Sequence, residues 1–314
     1  MGPPVRPMTT REVGPVRTIE YLTDPVLRGY YWPGVGVGLA IAVMASPLSV
    51  LVVLRRLAFI GQGISHAAFG GVGLALVLGA VGVGVLASEP GRTGLIVAFC
   101  VAAALTISWL GERGRAARPD TAIGIVLVAA MAMGFILHRA AVQASQARGL
   151  PQPPGLEDVL FGAVLGVGAG DAATAWGAAL LVLALLVTMR RDLVFWAFEP
   201  AAAEAFGVAS ARVRNVVMVL LSVTIVVGMQ LAGVVLATAL LVLPGAIALR
   251  LSARLWPVLA WSLASGLVGV AGGLVLSFEL DQQPGPMIVL TLVGLFAIAS
   301  IGGRWMGRRE SVAA

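Results

Sequence analysis

Apolar residues in this chain come in long unbroken runs rather than at alternate positions. Runs long enough to cross a bilayer, which takes about 20 residues per helix, fall at 33–54, 61–87, 93–111, 120–138, 171–189, 213–230, 231–250, 255–277 and 284–303. The pair at 213–250 is one apolar stretch interrupted only by Gly228, Gln230 and Gly233. It reads either as two spans with a tight turn or as a span followed by a broken helix. The pattern predicts an all-α, polytopic helical membrane protein with eight or nine transmembrane helices. A single transmembrane domain, 33–303, is expected between a cytoplasmic or interfacial segment, 1–32, and a cytoplasmic tail, 304–314.

The polar residues between the runs orient the bundle. Alternate loops carry Arg55 and Arg56; Arg113, Arg115 and Arg118; Arg190, Arg191, Arg212 and Arg214; Arg250 and Arg254; and, after the last run, Arg304, Arg308 and Arg309. The opposite loops carry only Arg92, Arg139 and Arg148. Arginine excess marks the cytoplasmic side, so the chain is expected in the plasma (inner) membrane, multi-pass, with its C-terminus inside. The net charge of +6 is made by arginine alone, there being no lysine. That bias belongs to the loops and gives no reason to invoke nucleic acid. Composition agrees: with 59 % hydrophobic and 11 % charged residues and a mean hydropathy of +0.97, too little polar side chain remains to cover a soluble core. The first 32 residues hold four arginines without an apolar core and small-residue cleavage site, so no removable signal peptide is predicted. Tyr30, Tyr31 and Trp32 are expected at headgroup depth.

Two loops are longer than a turn. The outer one, 139–170, runs through LPQPPG and LEDVLFGAVLGVGAG and is expected either to re-enter the bilayer at 155–170 or to lie on it. The inner one, 190–212, contains PAAAEAFG, a short helix with Pro200 in its first turn and Gly207 as its stop, about 200–207. Displaying Phe198, Glu199, Glu204 and Phe206, it is either a helix that docks into a partner's groove or an ordinary surface helix. Glycines recur within the spans at Gly34 and Gly38, Gly70 and Gly73, and Gly266 and Gly269, spacing that lets transmembrane helices approach closely.

The chemistry is narrow. None of the fifteen carboxylates lies deep in a run, which argues against a proton relay. Without lysine there is no nucleotide-binding P-loop, so any ATPase is a separate chain. No nucleophile has a base to work with. Ser65 and His66 are adjacent and point about 100° apart on a helix. The chain is therefore not expected to be an enzyme. Cys100 reads as a small core residue, and His138, beside Arg139, as an interfacial one. That leaves His66, in GQGISHAAFGG, with Gln62 one turn earlier on the same face. An imidazole in hydrocarbon is either functional or bonded to a neighbouring helix. One His and one Gln do not close a metal site. Two copies across a dimer axis would supply two imidazoles and two amides, an open and weak site of the kind that conduction needs.

At this point the residues resemble a known family. MASPLSVLVVLRRLAFIGQGISHAAFGGVGLALVLG resembles the corresponding region of the ABC-type zinc, manganese and iron importer permeases, whose second span opens on Gly-Asp-x-x-Ser-His-Ala. DTAIGIVLVAAMAMGFIL, DVLFG, FEPAAAEAFGV and GVVLATALLVLPGAIALRLS follow in the family's order. The resemblance covers roughly 33 to 303. It implies a homodimeric permease, cytoplasmic ABC ATPase subunits, an extracytoplasmic metal-binding protein, and a divalent metal ion as transported substrate with no permanent cofactor. Carried over, the family's pathway residues fall on His66 and Gln62, the latter replacing Asp. The coupling segment falls on Phe198, Glu199, Pro200, Glu204, Phe206 and Gly207. An amide offers a cation only a dipole, so Gln62 is expected to weaken binding of a hard ion such as Mn²⁺ most. Other readings stay open: the same architecture carrying a metal chelate or other small solute, or an ion-coupled carrier without an ATPase.

Overall fold

The computed structural model describes residues 18, 23–82, 89–113, 119–153, 155, 167–198, 203 and 207–312. Among these the chain is helical throughout, as α1 (Pro25–Leu54), α2 (Ala58–Val81), α3 (Glu89–Arg113), α4 (Pro119–Ala147), α5 (Ala169–Thr188), α6 (Arg190–Phe198), α7 (Ser210–Ala232), α8 (Val234–Leu240), α9 (Leu243–Leu251), α10 (Leu255–Leu280) and α11 (Pro284–Val312). Nine stretches of the described residues are long and apolar enough to cross a membrane, α8 and α9 counting together as one.

Both readings of 213–250 hold in part. Gly233, at φ 86 and ψ 158, takes a conformation essentially reserved for glycine. It ends α7 and begins α8 without a linker. Pro244 then sits in the first turn of α9, where its missing N–H cannot continue the hydrogen bonding of α8, so the seventh span is broken at Leu241 and Val242.

Hydropathy misjudges two helix ends. α4 continues past residue 138 through RAAVQASQA to Ala147. Alanine, glutamine and arginine favour helix whether or not they favour lipid, so His138 lies half-buried within a helix rather than at its end. α1 begins at Pro25, well before the expected start. Tyr31 packs its ring edge-on against Phe278 of α10, centroids 5.5 Å apart, and Arg28 lies 5.8 Å over the Trp32 ring; Tyr30 is outside the described side chains. Thr18 donates from its backbone N–H and its hydroxyl to Glu279 at 2.9 and 2.6 Å. Thr18 is thus held at the far end of α10 from Arg254.

The core is gathered by α1, whose span is 72 % buried against 17 % for the peripheral α5. α1 packs on α10, α5 and α9, while α2 packs on α4 and α3. Glycine sets the closest approaches. A Cβ on Gly134 of α4 would lie 2.7 Å from the Phe69 backbone, and one on Gly73 2.9 Å from the Gly134 carbonyl. A Cβ on Gly63 would meet Ile123 at 2.9 Å. These pairings run parallel in near-constant register, so α2 and α4 lie side by side along most of their length.

Candidate functional site

α2 carries the polar pair in an otherwise apolar helix. It is closed by Gly82, whose φ of +93 lets its N–H reach the carbonyls of Gly79 and Leu78. Gln62 and His66 are both partly buried, one helical turn apart, with Nε2 of the amide 2.6 Å from Nε2 of the ring. The amide NH₂ donates to the imidazole in this arrangement. His66 Nδ1 is buried and meets no partner among the described residues. It is the one nitrogen in that condition there; the other such atoms are hydroxyls of Ser210, Thr224 and Ser300. The Phe69 ring stacks near the imidazole, centroids 6.2 Å apart and planes inclined by 17°.

The neighbours of the pair are inert. Ser65 donates to the Gln62 carbonyl at 2.9 Å and is no nucleophile facing the ring. Cys100, buried, places its sulfur 3.9 Å from the Ile64 carbonyl, the role of a small packing residue. By the α2–α4 register, His138 lies about 18 Å further along the bundle than His66, at 1.5 Å per residue. Among the described residues no three His, Cys, Asp or Glu side chains gather as a metal group.

At the arginine-rich end, α6 is anchored by a contact that sequence reasoning did not find. The buried Trp196 lies under the Arg55 guanidinium, 4.3 Å from ring centroid. Burial first, and then the nearby Arg214 charge, pull the Arg55 pKa below the usual arginine value, although the group stays charged. Arg214 itself donates from Nε to Ser108 Oγ at 2.9 Å. α6 is therefore tied to the α1–α2 connection and packs on α1, α5 and α7. The signal available in the sequence was only that these arginines occupy loops on one side.

Phe198 ends α6 and is exposed. Gly207 is exposed at φ 78, and the Val208 N–H donates to the Ala203 carbonyl at 2.9 Å. That bond spans a glycine in the left-handed region, which a residue without Cβ adopts at no steric cost. Glu199, Pro200, Glu204 and Phe206 lie outside the described residues, as do residues 156–166 of the outer loop.

The sequence pattern of the ABC 3 transport family matches residues 30–303. The chain belongs to the ABC 3 transport family. Relatives within reach of this family carry different metals in their names. The manganese transport system membrane protein MntC of Halalkalibacterium halodurans is 31 % identical over 285 residues, covering 90 % of each chain. The high-affinity zinc uptake system membrane protein ZnuB of Haemophilus influenzae is 26 % identical, covering 85 % of this chain and 95 % of its own. Among solved structures, PsaBC from Streptococcus pneumoniae, in complex with a Fab, superposes with a TM-score of 0.73 at 26 % identity, covering 90 % of this chain and 93 % of that one. This ABC 3 member is a multi-pass helical membrane protein of the transport class.

Proposed function

We propose that this chain is the permease subunit of an ATP-driven importer of divalent transition-metal ions, and that His66 meets the ion within the membrane. The observation that carries this reading is the Gln62–His66 pair, one ring nitrogen engaged and the other left without a partner inside a span. As placed, the amide donates to Nε2, and the neutral ring keeps its proton on Nδ1. Turning the amide by half a turn sets its oxygen against an Nε2–H and frees the Nδ1 lone pair for a cation. Gln62 then acts by fixing the tautomer and the orientation of the ring that meets the ion. The names of the manganese and zinc relatives support a metal cargo.

Two copies of the chain complete the site, because one imidazole and one amide hold an ion too weakly alone. The exposed apolar face of α4, with Val128, Phe135 and Ile136, supplies a surface that a second copy can cover. ATP hydrolysis falls to a separate cytoplasmic subunit docked on Phe198 to Gly207, and an extracytoplasmic metal-binding protein delivers the ion. With nine crossings among the described residues and the arginine-rich end inside, the C-terminus is cytoplasmic and Thr18 is external. The Thr18–Glu279 contact at the arginine-poor end of α10 supports that placement.

The test is ATP-dependent uptake of Zn²⁺ and Mn²⁺ into proteoliposomes holding the permease with its ATPase. Uptake by the wild type, and a shift of preference towards Mn²⁺ in Gln62→Asp, support the reading. Absence of metal uptake by an assembled, ATP-hydrolysing complex overturns it.

A further inference from the structure

A groove of about 570 Å³ opens where α1, α5, α6 and α10 meet, at the arginine-rich end of the bundle. Its walls are membrane-spanning: Val50 and Leu51 from α1, Leu186 and Val187 from α5, Leu259 from α10. They are apolar, and Val187 and Trp256 are largely exposed on it. Its mouth is different. Arg190 and Arg191, both exposed, line it there, and Arg254 precedes the groove's Leu255 by one residue. The neighbouring carboxylate in the first turn of α6 is Asp192, so the mouth stays net positive.

An apolar slot ending in arginines at the level where spans emerge is built for a molecule with a hydrocarbon body and an anionic head. We propose that this groove binds an anionic phospholipid of the adjoining leaflet. One acyl chain lies between α5 and α10, and the phosphate is held by Arg190 and Arg191. Trp256, 72 % exposed at the rim, sits where indole rings favour the headgroup boundary. Charge complementarity selects this occupant over a second apolar helix, which would leave the two guanidinium groups unmatched, and over a zwitterionic lipid, which offers no net charge.

The experiment is native mass spectrometry of the full chain titrated with phosphatidylglycerol or phosphatidylcholine. The wild type is expected to prefer phosphatidylglycerol. In the Arg190→Gln/Arg191→Gln double variant that preference falls roughly twenty-five-fold, about five-fold per arginine removed. Val187→Trp, which fills the groove from its exposed side and leaves both charges, is expected to lower binding of phosphatidylglycerol, whereas Arg212→Gln, exposed at the same end of the bundle but outside the groove, changes nothing. An unchanged lipid preference in the double variant overturns the proposal. So does unchanged binding in Val187→Trp, or displacement of the lipid by inorganic phosphate alone.

Discussion

Two polar groups inside this bundle use their hydrogen-bonding capacity in opposite ways. Where α1 crosses α10, Ser46, Ser49, Ser262 and Ser265 form a seam in which every hydroxyl is engaged. Ser49 and Ser262 both donate to the Ser46 carbonyl at 2.6 Å, Ser46 donates to the Ala42 carbonyl at 2.6 Å, and Ser265 donates to the Ser262 carbonyl at 3.0 Å. In α2 the Gln62–His66 pair makes one good contact and leaves Nδ1 without any. A satisfied network has nothing left to offer a ligand and spends itself on fixing helix positions. An unsatisfied nitrogen is a standing cost to the fold, and it is the group that a passing cation can use. The seam holds the bundle together, whereas the pair is the group proposed to serve transport.

The largest expected effect lies on the seam side. Gly245 of α9 packs so closely on α1 that a Cβ would lie 2.5 Å from the Ser49 backbone. Gly245→Leu is expected to destabilise the bundle by about 3 kcal/mol, read as loss of monodisperse protein and a lowered unfolding midpoint in detergent. Next comes His66→Ala, expected to lower metal uptake at least about ten-fold, as losing a metal-site group does, with the unfolding midpoint unchanged or raised. Uptake is measured per folded transporter.

How much of this contrast the sequence disclosed depends on range. The spans were legible because hydrocarbon demands long apolar runs, and Gln62 and His66 were legible as a pair because a helix places i and i+4 on one face. Which ring nitrogen would be engaged was not, since that depends on side-chain rotation. The serine seam was invisible for a different reason: Ser49 and Ser262 are neighbours only through the crossing of α1 with α10. The same holds for Arg55 and Trp196, which the sequence offered as an ordinary loop arginine and a loop aromatic. Polar helical extensions such as the end of α4 also escape any reading that equates a membrane helix with its apolar part.

Smaller effects sharpen the comparison. Ser262→Ala removes one donor from the Ser46 carbonyl and is expected to cost about 1 kcal/mol, seen in thermal unfolding, with uptake per folded transporter unchanged. Arg55→Gln exposes the Trp196 face that α6 rests on. It is expected to reduce uptake per ATP hydrolysed by a few-fold while leaving overall stability nearly intact, a ratio measurable in the same proteoliposomes.

The most direct test pairs the two regions in one experiment: Zn²⁺ uptake and thermal unfolding of His66→Ala and Ser262→Ala, side by side with the wild type. A crossed result is expected, His66→Ala losing uptake and keeping its unfolding midpoint, Ser262→Ala losing midpoint and keeping uptake. Wild-type uptake in His66→Ala, together with a fall in its midpoint as large as that of Ser262→Ala, would make the histidine one more packing residue with no part in transport.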